Sequence, residues 1–162
     1  PGKRLNCMSK TVIQESVPEG FVPNTIGPYS NLIGPLLYKR DTDEQGRPRG
    51  TVGILLKEHH VGGNGRGHGG LLLTLLDEAM GMNAYLQKDS VPAVTVSMST
   101  NFIGATVPGQ FLYATAEIIQ ITSTLAFMEG KAFCGGKLVG TGSGVWKYLH
   151  STRTQQQAQQ QQ

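Results

Sequence analysis

The chain is poor in the features that mark the simplest functional classes. Its 162 residues include only two cysteines, Cys7 and Cys134, which match neither a metal-ligand spacing nor a disulfide framework. A reducing interior is therefore the expected setting. Basic residues exceed acidic ones by only 14 − 11 = +3, and no stretch concentrates the positive charge. That argues against a nucleic-acid surface and leaves room for a small polyanionic ligand. No signal peptide is visible, and no apolar run is long enough to span a bilayer. The chain starts at Pro1 rather than Met, which leaves an upstream segment open. The expected location is cytoplasmic, or mitochondrial if such a segment exists. Internal repeats are absent, and the length suits one domain.

What the chain does have is concentrated between Lys57 and Lys88: a glycine-rich loop, then the most apolar helix-like run in the sequence. From position 69 to 87 there is no proline, and Leu, Met and Ala, all strong helix formers, dominate. Apolar residues fall on nearly every side, as in a helix wrapped by the rest of the fold. One stripe differs. Gly70, Thr74, Asp77 and Gly81 share a face by their spacing of three and four, so small residues flank a carboxylate where another backbone can come close.

The loop before this helix carries Gly62, Gly63, Gly65, Gly67, Gly69 and Gly70, a backbone able to approach a ligand unobstructed. Where it enters the helix, the first N–H groups lack internal partners and sit at the positive end of the dipole. Such a terminus suits an anion, or an oxygen that gains negative charge during a reaction. His68 and Asp77 lie nine residues apart, about 180° around the helix and about 13 Å along it. They cannot meet within one chain. If both serve one site, a second copy must supply one of them.

Around this centre, positions 1–35 read as irregular, interrupted by Pro18, Pro23, Pro28 and Pro35, with one short helix at 9–17. Strands are expected at 36–40 and 49–60 before the helix, and at 91–102, 111–122, 125–133 and 138–149 after it. Val94, Val96 and Met98 alternate with Thr95, Ser97, Ser99 and Asn101, predicting two clean faces. Positions 36–150 thus form the domain, and the glutamine-rich 151–162 reads as a disordered tail. The order fits an α+β fold, one antiparallel sheet curled around one helix.

Other motifs weigh less. Gly65-x-Gly67-x-x-Gly70, with Asp89 downstream, matches a dinucleotide fingerprint, but closely spaced strands after the helix exclude a doubly wound sheet. No Gly-Lys-Ser/Thr follows the glycines, which removes a P-loop. His59, His60 and His68 fit no metal spacing, and His59 and His60 read as polar residues at a strand end. Taken singly, Asp77 can be a structural carboxylate bonded to a neighbouring loop, and His68 a residue that fixes the helix start.

Together the pieces are more specific. His68-Gly69-Gly70 opening a helix that contains Asp77 resembles the hotdog-fold acyl-CoA thioesterases, in particular the phenylacetyl-CoA thioesterase branch of the 4-hydroxybenzoyl-CoA thioesterase superfamily. Further matches are Pro92 with Thr95, Asn101-Phe102, Pro108-Gly109, Thr124-Leu125-Ala126-Phe127, Gly136-Lys137-Leu138-Val139 and Lys147-Tyr148-Leu149. The resemblance implies hydrolysis of an acyl-CoA to free acid and CoA, without metal or cofactor. It gives Gly69 the N–H that polarises the thioester carbonyl, and gives a partner subunit's Asp77 the role of general base or nucleophile. Thr95 helps to hold the attacking water, and His68 orients the loop. Gly70, Asn64, Glu78 and Arg66 are the candidate substrate contacts, Arg66 for the CoA phosphates. A homodimer is implied, with pairing of dimers into tetramers left open. One residue departs from the family: Gly62 stands where an Asn is usual, and Asn64 or Glu78 are the residues that could compensate. The alternative is a hotdog module that binds acyl-CoA without hydrolysing it. A hotdog dehydratase would need a His-plus-acid loop before the helix, which the chain does not show.

Overall fold

The computed structural model describes residues 15–24 and 27–149. In chain order the elements are β1 (Val22–Pro23), α1 (Pro28–Ile33), β2 (Leu37–Thr42), β3 (Pro48–Leu55), a 3-10 turn (Glu58–His60), α2 (Gly69–Leu86), β4 (Ala93–Phe102), β5 (Phe111–Ile121), β6 (Leu125–Cys134) and β7 (Lys137–Tyr148). The strands form one seven-stranded antiparallel sheet in the order β1-β2-β3-β5-β6-β7-β4. It curls around α2, which packs on β3, β4, β5, β6 and β7. This is the hotdog arrangement.

The 18-residue α2 buries Leu71, Leu72, Leu75, Leu76, Ala79, Met80 and Ala84. Opposite them the sheet presents small residues. A Cβ added at Gly140 would lie 2.8 Å from Leu72, and one at Gly130 3.2 Å from Leu76. Ala114, Ala126 and Ala132 continue that floor, and all three are fully buried. The leucines therefore rest directly on backbone, each burial contributing about 1.5–3 kcal/mol. One buried polar residue, Asn83, ties the helix to β3. Its amide donates to Gly50 O (2.8 Å) and Ala79 O (2.8 Å), and its Oδ1 accepts from Gly50 N (3.0 Å).

Four expectations need correction. The strand expected over 49–60 stops at Leu55, and His59 and His60 lie in the 3-10 turn rather than at a strand end. The N-terminal segment carries β1, paired with β2, and α1, which starts with Pro28 in the first turn where proline's fixed φ suits a helix. The helix expected at 9–17 lies mostly outside the described residues, and residues 15–17 within them are not helical. The clean alternation of β4 is broken by a bulge between Thr95 and Ser97, which leaves Val96 59% exposed. The glutamine-rich tail lies outside the described residues. Asp89, the acid of the dinucleotide fingerprint, sits at positive φ in the turn that follows α2.

Truncating Asn83 to Ala should orphan the Gly50 N–H and C=O in the core. An expected loss of about 1–3 kcal/mol, read from urea denaturation, is the check; an unchanged midpoint would contradict the role.

Candidate active site

Two clusters form on the outward stripe of α2. At the helix start, His68 is the N-cap, and its Nδ1 accepts the Gly70 N–H at 2.9 Å. The acceptor role fixes the neutral ring's proton on Nε2. The first intrahelical bond runs from Leu71 N to His68 O at 3.0 Å. Gly69 sits between, and its N–H has no acceptor among the described residues. A Cβ there would lie 3.2 Å from the exposed Phe102 ring, so glycine keeps this amide uncovered. At Gly70 a Cβ would lie 2.9 Å from the His68 ring nitrogen, so the cap itself also requires glycine.

The second cluster lies two turns along. The Thr95 hydroxyl, on β4, donates to Asp77 Oδ1 at 2.6 Å. The β4 bulge follows directly, and Thr95 pairs across the ladder with Trp146. Asp77 is half-buried, and its Oδ2 has no hydrogen-bond partner among the described residues. Gly69 and Asp77 are eight residues apart on one continuous helix, about 12 Å along the axis. Within one chain the amide and the carboxylate stay apart.

The remaining candidates go elsewhere. Glu78 does not join Asp77; it accepts from the hydroxyls of Tyr38 and Ser30 (3.4 Å for the latter), on the side of α2 covered by α1 and β2. Burial first, and the Glu78 carboxylate next, raise the Tyr38 hydroxyl above the ordinary tyrosine range. Asn64 Oδ1 accepts the Arg66 N–H (3.1 Å) within its own turn, and Arg66 is exposed at the loop tip. Gly62 packs beside His68: a Cβ there would lie 3.4 Å from the imidazole. Among the described residues no group of His, Cys, Asp and Glu could hold a metal.

The sequence reading missed two contributors. Tyr29, on α1, places its hydroxyl 3.0 Å from Thr74 Oγ1, which in turn donates to Gly70 O (3.0 Å). His60 is buried beneath the loop, Nδ1 accepting from Lys57 N (2.9 Å) and Nε2 donating to Ile33 O (2.6 Å). A histidine in a polar tetrapeptide gives no sign of burial; only the turn that ends β3 early directs it inward.

A Thioesterase superfamily model matches residues 64–141, the span that holds both clusters. A Pseudomonas aeruginosa protein that carries the name of an esterase, PA0474, is 32% identical over 133 residues, covering 81% of this chain and 96% of that protein. The chain belongs to the thioesterase superfamily. As a member it is a thioester hydrolase. Human acyl-coenzyme A thioesterase 13 is 31% identical over 91 residues, 54% of this chain and 64% of that protein. Among solved structures, Bacillus halodurans BH2602 with CoA superposes with a TM-score of 0.61 at 29% identity, covering 70% of this chain and 74% of that one. In this thioesterase no described helix is long and apolar enough to cross a membrane.

Burial lowers the proton affinity of His60 and outweighs the opposing pull of the Ile33 carbonyl; Lys57 and His59 lower it further. The unfolded chain, titrating at about 6.5, then binds a proton that the folded chain refuses. Stability should be full above that pH and fall as the pH drops from there toward the folded value. Denaturation midpoints at stepped pH, compared with His60→Gln, test this; an acid slope unaltered by the substitution would contradict it.

Proposed function

We propose that the enzyme hydrolyses acyl-CoA thioesters to free acid and CoA, in a cleft shared between two copies of the chain. The observation that carries this reading is the pair of half-sites on one helix, an uncommitted Gly69 amide and a Thr95-bonded Asp77 about 12 Å apart. Residues 69 and 77 are equidistant from residue 73. A two-fold axis passing beside Leu73, with two α2 helices antiparallel, brings each Gly69 opposite the other copy's Asp77. Leu73 is 40% exposed although its neighbours Leu71, Leu72, Leu75 and Leu76 are buried, as an axis residue would be before pairing. The ten-residue β4 is an edge strand, the kind of edge that pairs with another chain.

Chemistry follows from that arrangement. Asp77, held by Thr95, takes a proton from water as the oxygen attacks the thioester carbonyl. The carbonyl oxygen gains charge against the partner's Gly69 N–H at the positive end of α2. Collapse breaks the C–S bond, the sulfur leaves as CoA thiolate, and the proton on Asp77 returns to it. The named acyl-coenzyme A relative and the CoA-bound structural neighbour support CoA as the carrier. Arg66, on the exposed loop tip, is proposed for the CoA phosphates. The mildly basic composition is compatible with a polyanionic carrier such as CoA.

A second reading, binding without hydrolysis, rests on Gly62: it packs against the His68 ring and carries no side-chain donor where the resemblance expects an Asn. Release of CoA thiol from a panel of acyl-CoAs separates the two, since a binding module retains its ligand intact.

Asp77→Asn should lower kcat by about 10²–10⁴ with little change in KM; loss of affinity alone would favour the binding module. Gly69→Pro removes the N–H at a position where helices accept proline, and should cost about 10²–10³ in kcat. Co-expressed, the two inactive chains should recover about a quarter of wild-type activity, because half the dimers regain one intact cleft. No recovery would refute sharing.

A further inference from the structure

We propose that His60 is a positioning residue for the Gly69 amide, clamping the helix-start loop to α1; the proposal rests on the shared-site reading above. His60 is 6% exposed and both ring nitrogens are committed. A carbonyl only accepts, so Nε2 donates to Ile33 O at 2.6 Å, and Nδ1 is left to accept the Lys57 N–H at 2.9 Å. The His60 backbone then continues the chain of bonds. Its C=O takes the His68 N–H at 2.8 Å, and His68 caps α2 through the Gly70 N–H at 2.9 Å. Gly69 lies between the two residues so held. A continuous path therefore runs from the last residue of α1 to both neighbours of the proposed oxyanion donor.

That path closes into a ring. α1 is also fixed on α2, through Tyr29 on Thr74 (3.0 Å) and Ser30 on Glu78 (3.4 Å). The helix-start loop is held from its other side by Gly67, whose N–H donates to Thr106 O (3.0 Å). A Cβ at Gly67 would lie only 2.0 Å from Thr106 Oγ1, so the loop is pressed onto the 103–110 connection. His60 is the piece that links α1 to this loop. A hydrogen-bond donor for a developing oxyanion must be placed to within fractions of an ångström, and an error of about 1 Å can cost about 10²-fold in rate. A clamp on both flanks of Gly69 supplies that placement without touching substrate.

Side-chain reach separates the two ring bonds. An Asn Oδ1 sits where Nδ1 does and can keep the Lys57 bond, but it falls short of Ile33. A Gln amide reaches as far as Nε2 and can keep the Ile33 bond. His60→Asn and His60→Leu are expected to lower kcat by about tenfold or more at nearly constant KM, with faster amide exchange at His68 and Gly70. His60→Gln is expected to restore most of the turnover and the protection. Equal turnover in folded Asn and wild-type proteins, or equal loss in Asn and Gln, overturns the proposal. If Leu fails to fold, the polar Asn and Gln pair carries the comparison. Amide exchange does not depend on turnover. If the wild-type enzyme releases no CoA from any acyl-CoA, the shared-site reading fails, and slow exchange in Gln beside fast exchange in Asn still establishes the clamp.

Discussion

The floor under α2 is made of glycine and alanine, and that closeness sets the exposure of everything above it. Gly130, Gly140 and Gly142 let Leu72, Leu76 and Met80 rest on strand backbone. A helix seated this deep would be buried on all sides if the sheet wrapped it fully. It does not: β4 is an edge strand on one flank, and α1 with β2 covers the other. Between them runs the small-residue stripe, with Gly69 and Gly70 at its start and Asp77 two turns on. Larger residues under the helix would lift it away from the strands and pull Asp77 from Thr95, a contact of 2.6 Å.

Much of this was visible in the sequence because it depends on local composition. The long helix needs only a run of strong formers bounded by a glycine-rich loop, and the expected 69–87 agrees with the observed Gly69–Leu86. The succession of two strands, a helix and four strands, and with it the α+β class, followed from spacing, whereas β1 and the order of strands within the sheet did not. What escaped was set by partners distant in the chain. Glu78 looked like a second site acid because it stands next to Asp77, but adjacent helical residues point about 100° apart. It meets Tyr38 and Ser30, forty or more positions away. The β4 bulge is likewise a property of the ladder with β7, and no alternation count within one strand can show it.

His60 shows the same dependence on distant partners. Its neighbours Lys57, Glu58 and His59 are exposed and polar, which suggests a solvated strand end. The structure ends β3 at Leu55 and spends the next residues on a turn, which points the imidazole inward under Ile33. A buried histidine with both nitrogens satisfied costs less than one left unpaired, because each unmet polar group would carry its full desolvation penalty. The burial depends on α1, whose proline-broken sequence carries the pattern of a loop.

Gly62 bears on how the proposed chemistry divides among donors. In the family resemblance an Asn precedes the loop; here Gly62 packs on the His68 ring without a side-chain donor, and Asn64 accepts the Arg66 N–H within its own turn. Asn64 thus supplies no obvious replacement, and Glu78 is committed elsewhere. The carbonyl would then depend on the Gly69 amide and the dipole behind it to a greater degree than in a site with a second side-chain donor. One preorganised donor is commonly worth about 3–4 kcal/mol of transition-state stabilisation. That value is reached only when the donor is held still. A site that relies on one backbone amide has more to gain from a rigid loop than a site with several donors, and the bonds converging on His60 and His68 provide that rigidity.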